Sequence, residues 1–155
     1  MKFSSTLKAL IGALFFLAIA LGAANAAEQG TAPEAEALVK KAVAYIKANG
    51  PEKSYEEFTN GQSFKDRDLY ISVYDLKGNN LAHGSNPKLV GKNLMGLKDP
   101  EGVEFIKMIT AVATEKGKGW SGQYKFLNPV TKALQSKVLY VERVGDTWVG
   151  VGIYK

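Results

Sequence analysis

The chain has 155 residues, with 20 Lys+Arg against 15 Asp+Glu, 46% hydrophobic residues and no cysteine, the profile of one packed domain rather than a disordered chain. Without cysteine there are no disulfides, zinc fingers, thiolate iron–sulfur clusters or Cys nucleophiles. The single histidine, His83, excludes any His-pair metal site and leaves a Ser-His-Asp triad dependent on one residue.

Lys2 and Lys8 precede an apolar run from Leu10 to Leu21, and Ala24-Asn25-Ala26 follows with small-x-small spacing. This is the layout of a secretory signal peptide cut after Ala26. A retained anchor is the alternative, but the run is shorter than the roughly 20 residues a spanning helix needs. Losing the two leader lysines leaves 18 basic against 15 acidic side chains, a net of +3. The expected product is periplasmic or secreted, with no stable membrane insertion. Its basic residues are scattered and form no stripe, so no nucleic-acid partner is expected.

Residues 27–32 read as a flexible lead-in to a single domain over 33–155. A helix is predicted from Pro33 to Ala48, with Thr31 as cap, acidic residues in its first turn and Asn49-Gly50-Pro51 as its stop. Its apolar face is expected at Leu38, Ala42, Tyr45 and Ile46. Tyr55 and Phe58 suggest one more short helical turn, followed by a polar loop from Thr59 to Arg67. Leu69–Asp75 alternates β-branched and aromatic residues and pairs through a Lys77-Gly78-Asn79-Asn80 turn with a strand beginning Leu81-Ala82-His83. Gly84–Lys98 is a loop, yet its Leu89, Val90, Leu94 and Leu97 suit a segment folded over a core or pocket. Asp99-Pro100 reads as the start of a second long helix ending at Lys116-Gly117. Strands over Trp120–Phe126, Leu134–Val144 and Thr147–Tyr154 close the chain. Short connections make neighbouring strands antiparallel, and the class is α+β.

Few residues suggest chemistry. His83 lacks a recognisable nucleophile or orienting carboxylate and suits a hydrogen-bonded strand end or a small-molecule contact. Trp120 and Tyr124 stand four apart, on one face of an unbroken strand, with Gly122 leaving space between their rings. That pair is either core packing or an aromatic trough for a polar ligand. Lys137 shares its face with Leu139 and Val141, and is either exposed at a strand start or aimed into a pocket, where its charge would meet a carboxylate. Parity puts Tyr140 on the opposite face. The glycine-rich stretches lack a phosphate-loop pattern, and the acidic clusters do not form a calcium loop. Neither cofactor, metal nor catalytic residue is expected.

The run Tyr74–His83, with Asn86–Leu94, Leu97–Gly102, Gly119-Trp120 through Tyr124, Asn128-Pro129 and Lys137–Tyr140, resembles the single Cache domain, type 2. The resemblance implies a PAS-like fold: a five-stranded antiparallel sheet with a long N-terminal helix on one face and a loop-helix segment on the other. It also implies extracytoplasmic binding of small metabolites, often short carboxylates, as the input module of chemoreceptors and sensor kinases. Family-like positions that would face the ligand are Tyr74, His83, Trp120, Tyr124 and Lys137. The family usually adds flanking membrane helices and a cytoplasmic output domain, and none is read here. The expected protein is therefore a free exported binding module for a small, anionic ligand, with a membrane receptor or sensor kinase as a possible partner. The alternative is an accessory interaction subunit whose pocket is vestigial.

Overall fold

The computed structural model describes residues 29–155; the leader expected at 1–26 lies outside the described residues. It contains three α-helices, α1 (Ala32–Asn49), α2 (Pro51–Asn60) and α3 (Phe105–Lys116). The strands are β1 (Lys65–Asp66), β2 (Leu69–Asp75), β3 (Asn80–His83), β4 (Lys118–Trp120), β5 (Tyr124–Leu127), β6 (Leu134–Val144) and β7 (Thr147–Tyr154). All pairings are antiparallel. β1 and β3 share one edge of β2, while β4 and β5 share one edge of β6. Seven strands thus fill five positions across the sheet, with β2, β7 and β6 in the middle, as the PAS-like expectation requires. No helix among the described residues is long and apolar enough to cross a membrane.

The two faces of the sheet bury separate cores. Period-two alternation sends Ile71, Val73, Val149, Val151 and Tyr140 to one side, where Val39, Ala42, Ile46 and Phe58 of α1 and α2 cover them. Tyr74, Leu139, Val141 and Trp148 point the other way, against Phe105, Ile106 and Ile109 of α3. The buried stripe of α1 is Ala35, Val39, Ala42, Val43 and Ile46. It is rotated from the predicted face, so Leu38 and Tyr45 flank the contact as half-buried residues.

Three local expectations are corrected. Residues 29–32 are bound rather than loose: Gly30 N donates to the buried Asp68 (2.6 Å), and Arg67 holds both Gln29 O and Glu34. Tyr55 and Phe58 belong to a ten-residue helix, α2, rather than to a single turn. Asp99-Pro100 does not start α3, which begins at Phe105. Asp99 Oδ1 instead accepts the N–H groups of Glu101 and Val103, and Oδ2 accepts Lys125 N (2.7 Å) of β5. A carboxylate that folds its own loop back this way competes with helix capping, and Gly102 at φ +84° completes the turn.

Asp99→Ala should therefore lower the melting temperature and speed hydrogen exchange at the amides of Glu101, Val103 and Lys125. The amides of α3 should keep their protection. Loss of protection confined to the first turn of α3 would assign Asp99 a capping role instead.

Candidate functional site

On the α3 side of the sheet a small cavity is lined by Tyr70, Ser72, Tyr74, His83, Tyr124, Phe126 and Lys137, with Trp148, Leu139 and α3 residues closing it. Alternation along β2 delivers Tyr70, Ser72 and Tyr74 to this face. β7 contributes Gly150 and Gly152 there, and a methyl at either glycine would overlap Leu139 or Lys137. Glycines in a central strand leave room for a neighbouring side chain to lie across the sheet, and Lys137 occupies that room.

Lys137 is only 2% exposed, so it belongs to the interior and not to a frayed strand start. Its Nζ donates to Tyr70 Oη (2.7 Å) and Tyr154 Oη (3.2 Å). It also lies 4.3, 4.6 and 5.0 Å from the ring centres of Tyr70, Tyr154 and Phe126, within cation–π range. No carboxylate among the described residues forms an ion pair with it. Burial pushes the Tyr70 phenol up, but the Lys137 charge and hydrogen bond outweigh this and hold it below its ordinary value. Burial keeps Tyr154, Tyr74 and Tyr124 raised and neutral.

Donor directions follow from these bonds. Tyr154 Oη donates to Leu127 O (2.8 Å) and accepts from Lys137. Tyr70 Oη also accepts from Lys137, and its own proton has only a long partner, Tyr154 Oη at 3.5 Å, a contact weak enough for a guest to displace. His83 Nδ1 accepts the backbone N–H of Asn86 (3.1 Å), so the neutral ring carries its proton on Nε2. Burial, reinforced by the Lys137 charge, pushes His83 down to about 3. A third Lys137 N–H, Tyr70 O–H and His83 Nε2–H are the groups left to serve a guest. All three are donors, the pattern that suits an anion.

Of the five residues proposed from sequence, Tyr74, His83, Tyr124 and Lys137 line this cavity. Tyr74 stacks on Trp148 (4.7 Å) and Tyr124 on Phe105 (4.8 Å). Trp120 is not with them. It pairs with Tyr140, packs on the α1 side and donates Nε1–H to Glu36 (3.0 Å). The predicted continuous strand is broken: Trp120 pairs with Tyr140 but Tyr124 pairs with Lys137. Four steps along one edge therefore match three along β6, and one extra residue reverses the facing of side chains. Ser121 spans the irregularity, its N–H going to Leu139 O and its Oγ accepting Leu139 N. Tyr70, Tyr154, Phe126 and the two β7 glycines were missed. The spacing of Tyr70 to Tyr74 and the Gly-x-Gly of a strand were the available signals.

His83 gives a pH signature. The folded ring stays neutral to about pH 3, whereas the unfolded ring takes a proton below about 6.5. Stability is therefore full above pH 6.5 and declines as pH falls toward 3, by at most about 1.4 kcal/mol per pH unit. His83→Asn keeps an acceptor for Asn86 N, so urea unfolding between pH 6.5 and 5, above the carboxylate range, should lose that slope. An unchanged slope would assign the pH dependence to other groups.

The sequence model of the single Cache domain 2 family matches residues 20–155. Over 91 residues the chain is 36% identical to the sensor histidine kinase MctS of Rhizobium johnstonii, a match covering 57% of this chain and 19% of that protein. The chain thus spans about a fifth of that relative's length. A methyl-accepting chemotaxis protein of Vibrio parahaemolyticus superposes with a TM-score of 0.68 at 27% identity, over 79% of this chain and 86% of that one. A Cache chemosensory domain studied for carboxylic acid recognition shares the fold, with a TM-score of 0.61 at 21% identity over 76% of this chain and 84% of that one. With the PAS-like sheet, the two helical layers and the family match over all of the described residues, the protein belongs to the single Cache domain 2 family of sensory ligand-binding modules.

Proposed function

We propose that the protein is an exported binding module for a small monocarboxylate, held by Lys137, His83 and Tyr70 and flanked by Tyr74 and Tyr124. The observation that carries this reading is the buried Lys137 ammonium with hydroxyl and aromatic neighbours but no counter-carboxylate. An unpaired interior charge is costly, and an anionic guest would offset it. Carboxylic acid recognition by a Cache chemosensory domain of the same fold supports the choice of acid. Kinship with a sensor kinase and a chemotaxis protein supports a membrane signalling partner. The leader-like sequence at Lys2–Ala26 supports export.

The cavity is about 20 Å³, room for roughly one water. A carboxylate enters only as lining side chains give way, so acids of the fewest carbons ask least of the fold. The same volume favours a second reading, an accessory interaction subunit whose pocket is filled by its own side chains.

A thermal-shift panel of short carboxylic acids, with amines as controls, separates the two. An acid at 100 times its dissociation constant adds about 2.7 kcal/mol of stability. Lys137→Met should reduce its affinity roughly 10- to 150-fold, the worth of a charge-assisted hydrogen bond. The unliganded variant should melt no lower than the parent, because a thioether of similar length replaces an unpaired charge. Trp120→Ala should do the opposite, losing about 3 kcal/mol of stability, the low end for a tryptophan because the ring is half-buried, and keeping affinity. If no acid shifts the parent's melting temperature while Lys137→Met raises it, the accessory-subunit reading replaces this one.

A further inference from the structure

Large apolar side chains exposed among the described residues are Val90, Leu97, Leu127, Val130 and Leu134, and the last three share the β5–β6 hairpin. Leu127 and Leu134, each 54% exposed, are direct cross-strand partners and so project to one side. Val130, 45% exposed, sits at the tip. The turn is tightly built. Buried Asn128 accepts the N–H groups of Val130 and Thr131 through its side chain, while its backbone bonds Ala133 and Lys132. Lys132 holds a left-handed φ of +59° and donates to Pro129 O. A rigid tip loses little conformational freedom on docking.

Position and charge identify what it docks on. Lys137 pairs with Tyr154, Lys155 N bonds Ser136 O, and Gly30 bonds Asp68 just before β2. The described N-terminus and Lys155 therefore lie at one end of the sheet. The hairpin runs three residues past that level, about 10 Å at the rise of a strand. Upstream of Gln29 the sequence holds the leader-like run Leu10–Leu21, so this is the end of the domain joined to the leader and nearest the membrane as export delivers it. From Lys116 to Val141 there is no Asp or Glu. Lys132 and Lys155 are exposed beside the apolar tip. A second copy placed tip to tip would set lysine against lysine, whereas anionic headgroups complement them.

We propose that the β5–β6 hairpin docks the domain on an anionic lipid surface, with Leu127, Val130 and Leu134 in the interfacial zone and Lys132 and Lys155 at the headgroups. The proposal shares with the function above the assumption of export, but vesicle binding is measured without it and without any carboxylate.

The test is a local one, because Leu10–Leu21 can itself hold the full chain on vesicles. Val130→Trp places a reporter at the tip, and Asp146→Trp places one on the exposed β6–β7 turn at the opposite end. The emission of the parent, from Trp120 and Trp148, is subtracted. With mixed phosphatidylcholine–phosphatidylglycerol vesicles the Val130→Trp emission should shift to the blue and be quenched by brominated acyl chains, and the Asp146→Trp emission should not. Adding Leu127→Ser and Leu134→Ser should abolish that quenching without moving the melting temperature. An unshifted Val130→Trp emission overturns the proposal. So does equal quenching on phosphatidylcholine alone, which removes the anionic requirement. A blue shift without vesicles that grows with protein concentration would assign the tip to contact between copies of the chain.

Discussion

A lysine ammonium buried without a carboxylate is the constraint around which the α3 side of the sheet is arranged. Taking an ammonium out of water costs several kcal/mol unless hydrogen bonds and nearby electron density replace hydration. Here two phenol oxygens accept from Lys137 and three aromatic rings surround it. Each of those groups is fixed in turn. Tyr154 is tied to the Leu127 carbonyl, and Tyr70 stands in the first half of β2 with its ring beside that of His83 (5.1 Å). The neutral His83 follows first from its burial and then from the same charge, since a second cation beside Lys137 is disfavoured. The site is therefore positive by construction, and its remaining free groups donate.

The backbone makes this arrangement possible through two departures from regular alternation. One is subtraction: Gly150 and Gly152 remove side chains from the pocket face of β7 where Leu139 and Lys137 must lie. The other is insertion: the extra residue at Ser121–Gln123 turns Trp120 toward α1 and Tyr124 toward α3 along a single edge. Both act locally, yet they decide which aromatic residues belong to the cavity and which to the opposite core. Asp99 adds a third link, fastening the loop before α3 to β5 and so setting that helix over the cavity.

Much of this was legible in the sequence because it depends on periodicity. Alternation and turn chemistry place β2, β6 and β7, and parity puts Lys137 on one face with Leu139 and Val141. What escaped depended on interactions between segments distant in sequence. A bulge needs the partner strand's register, so the Trp120–Tyr124 pair looked like one surface. Asp99-Pro100 has the composition of a helix start, but one carboxylate oxygen turns back on the amides of Glu101 and Val103 and the other is held by the amide of Lys125, 26 residues on. Tyr154 gains its role from Lys137 and Leu127, neither of them near it in the chain. The burial of Gly30 against Leu69 and Asp68 likewise has no local signature.

Three rings around an ammonium form the box that proteins elsewhere build for a guest's cation. In this domain the cation is covalently attached, and the box is filled from within by the fourth residue of β6. Exchange of Lys137 for a residue with no side-chain charge and less bulk would leave Tyr70, Phe126 and Tyr154 facing a void with their electron-rich faces and hydroxyls intact. Such a void attracts small amines and repels acids. Under the proposed function, the sign of the charge that the pocket prefers therefore rests on the single side chain at position 137.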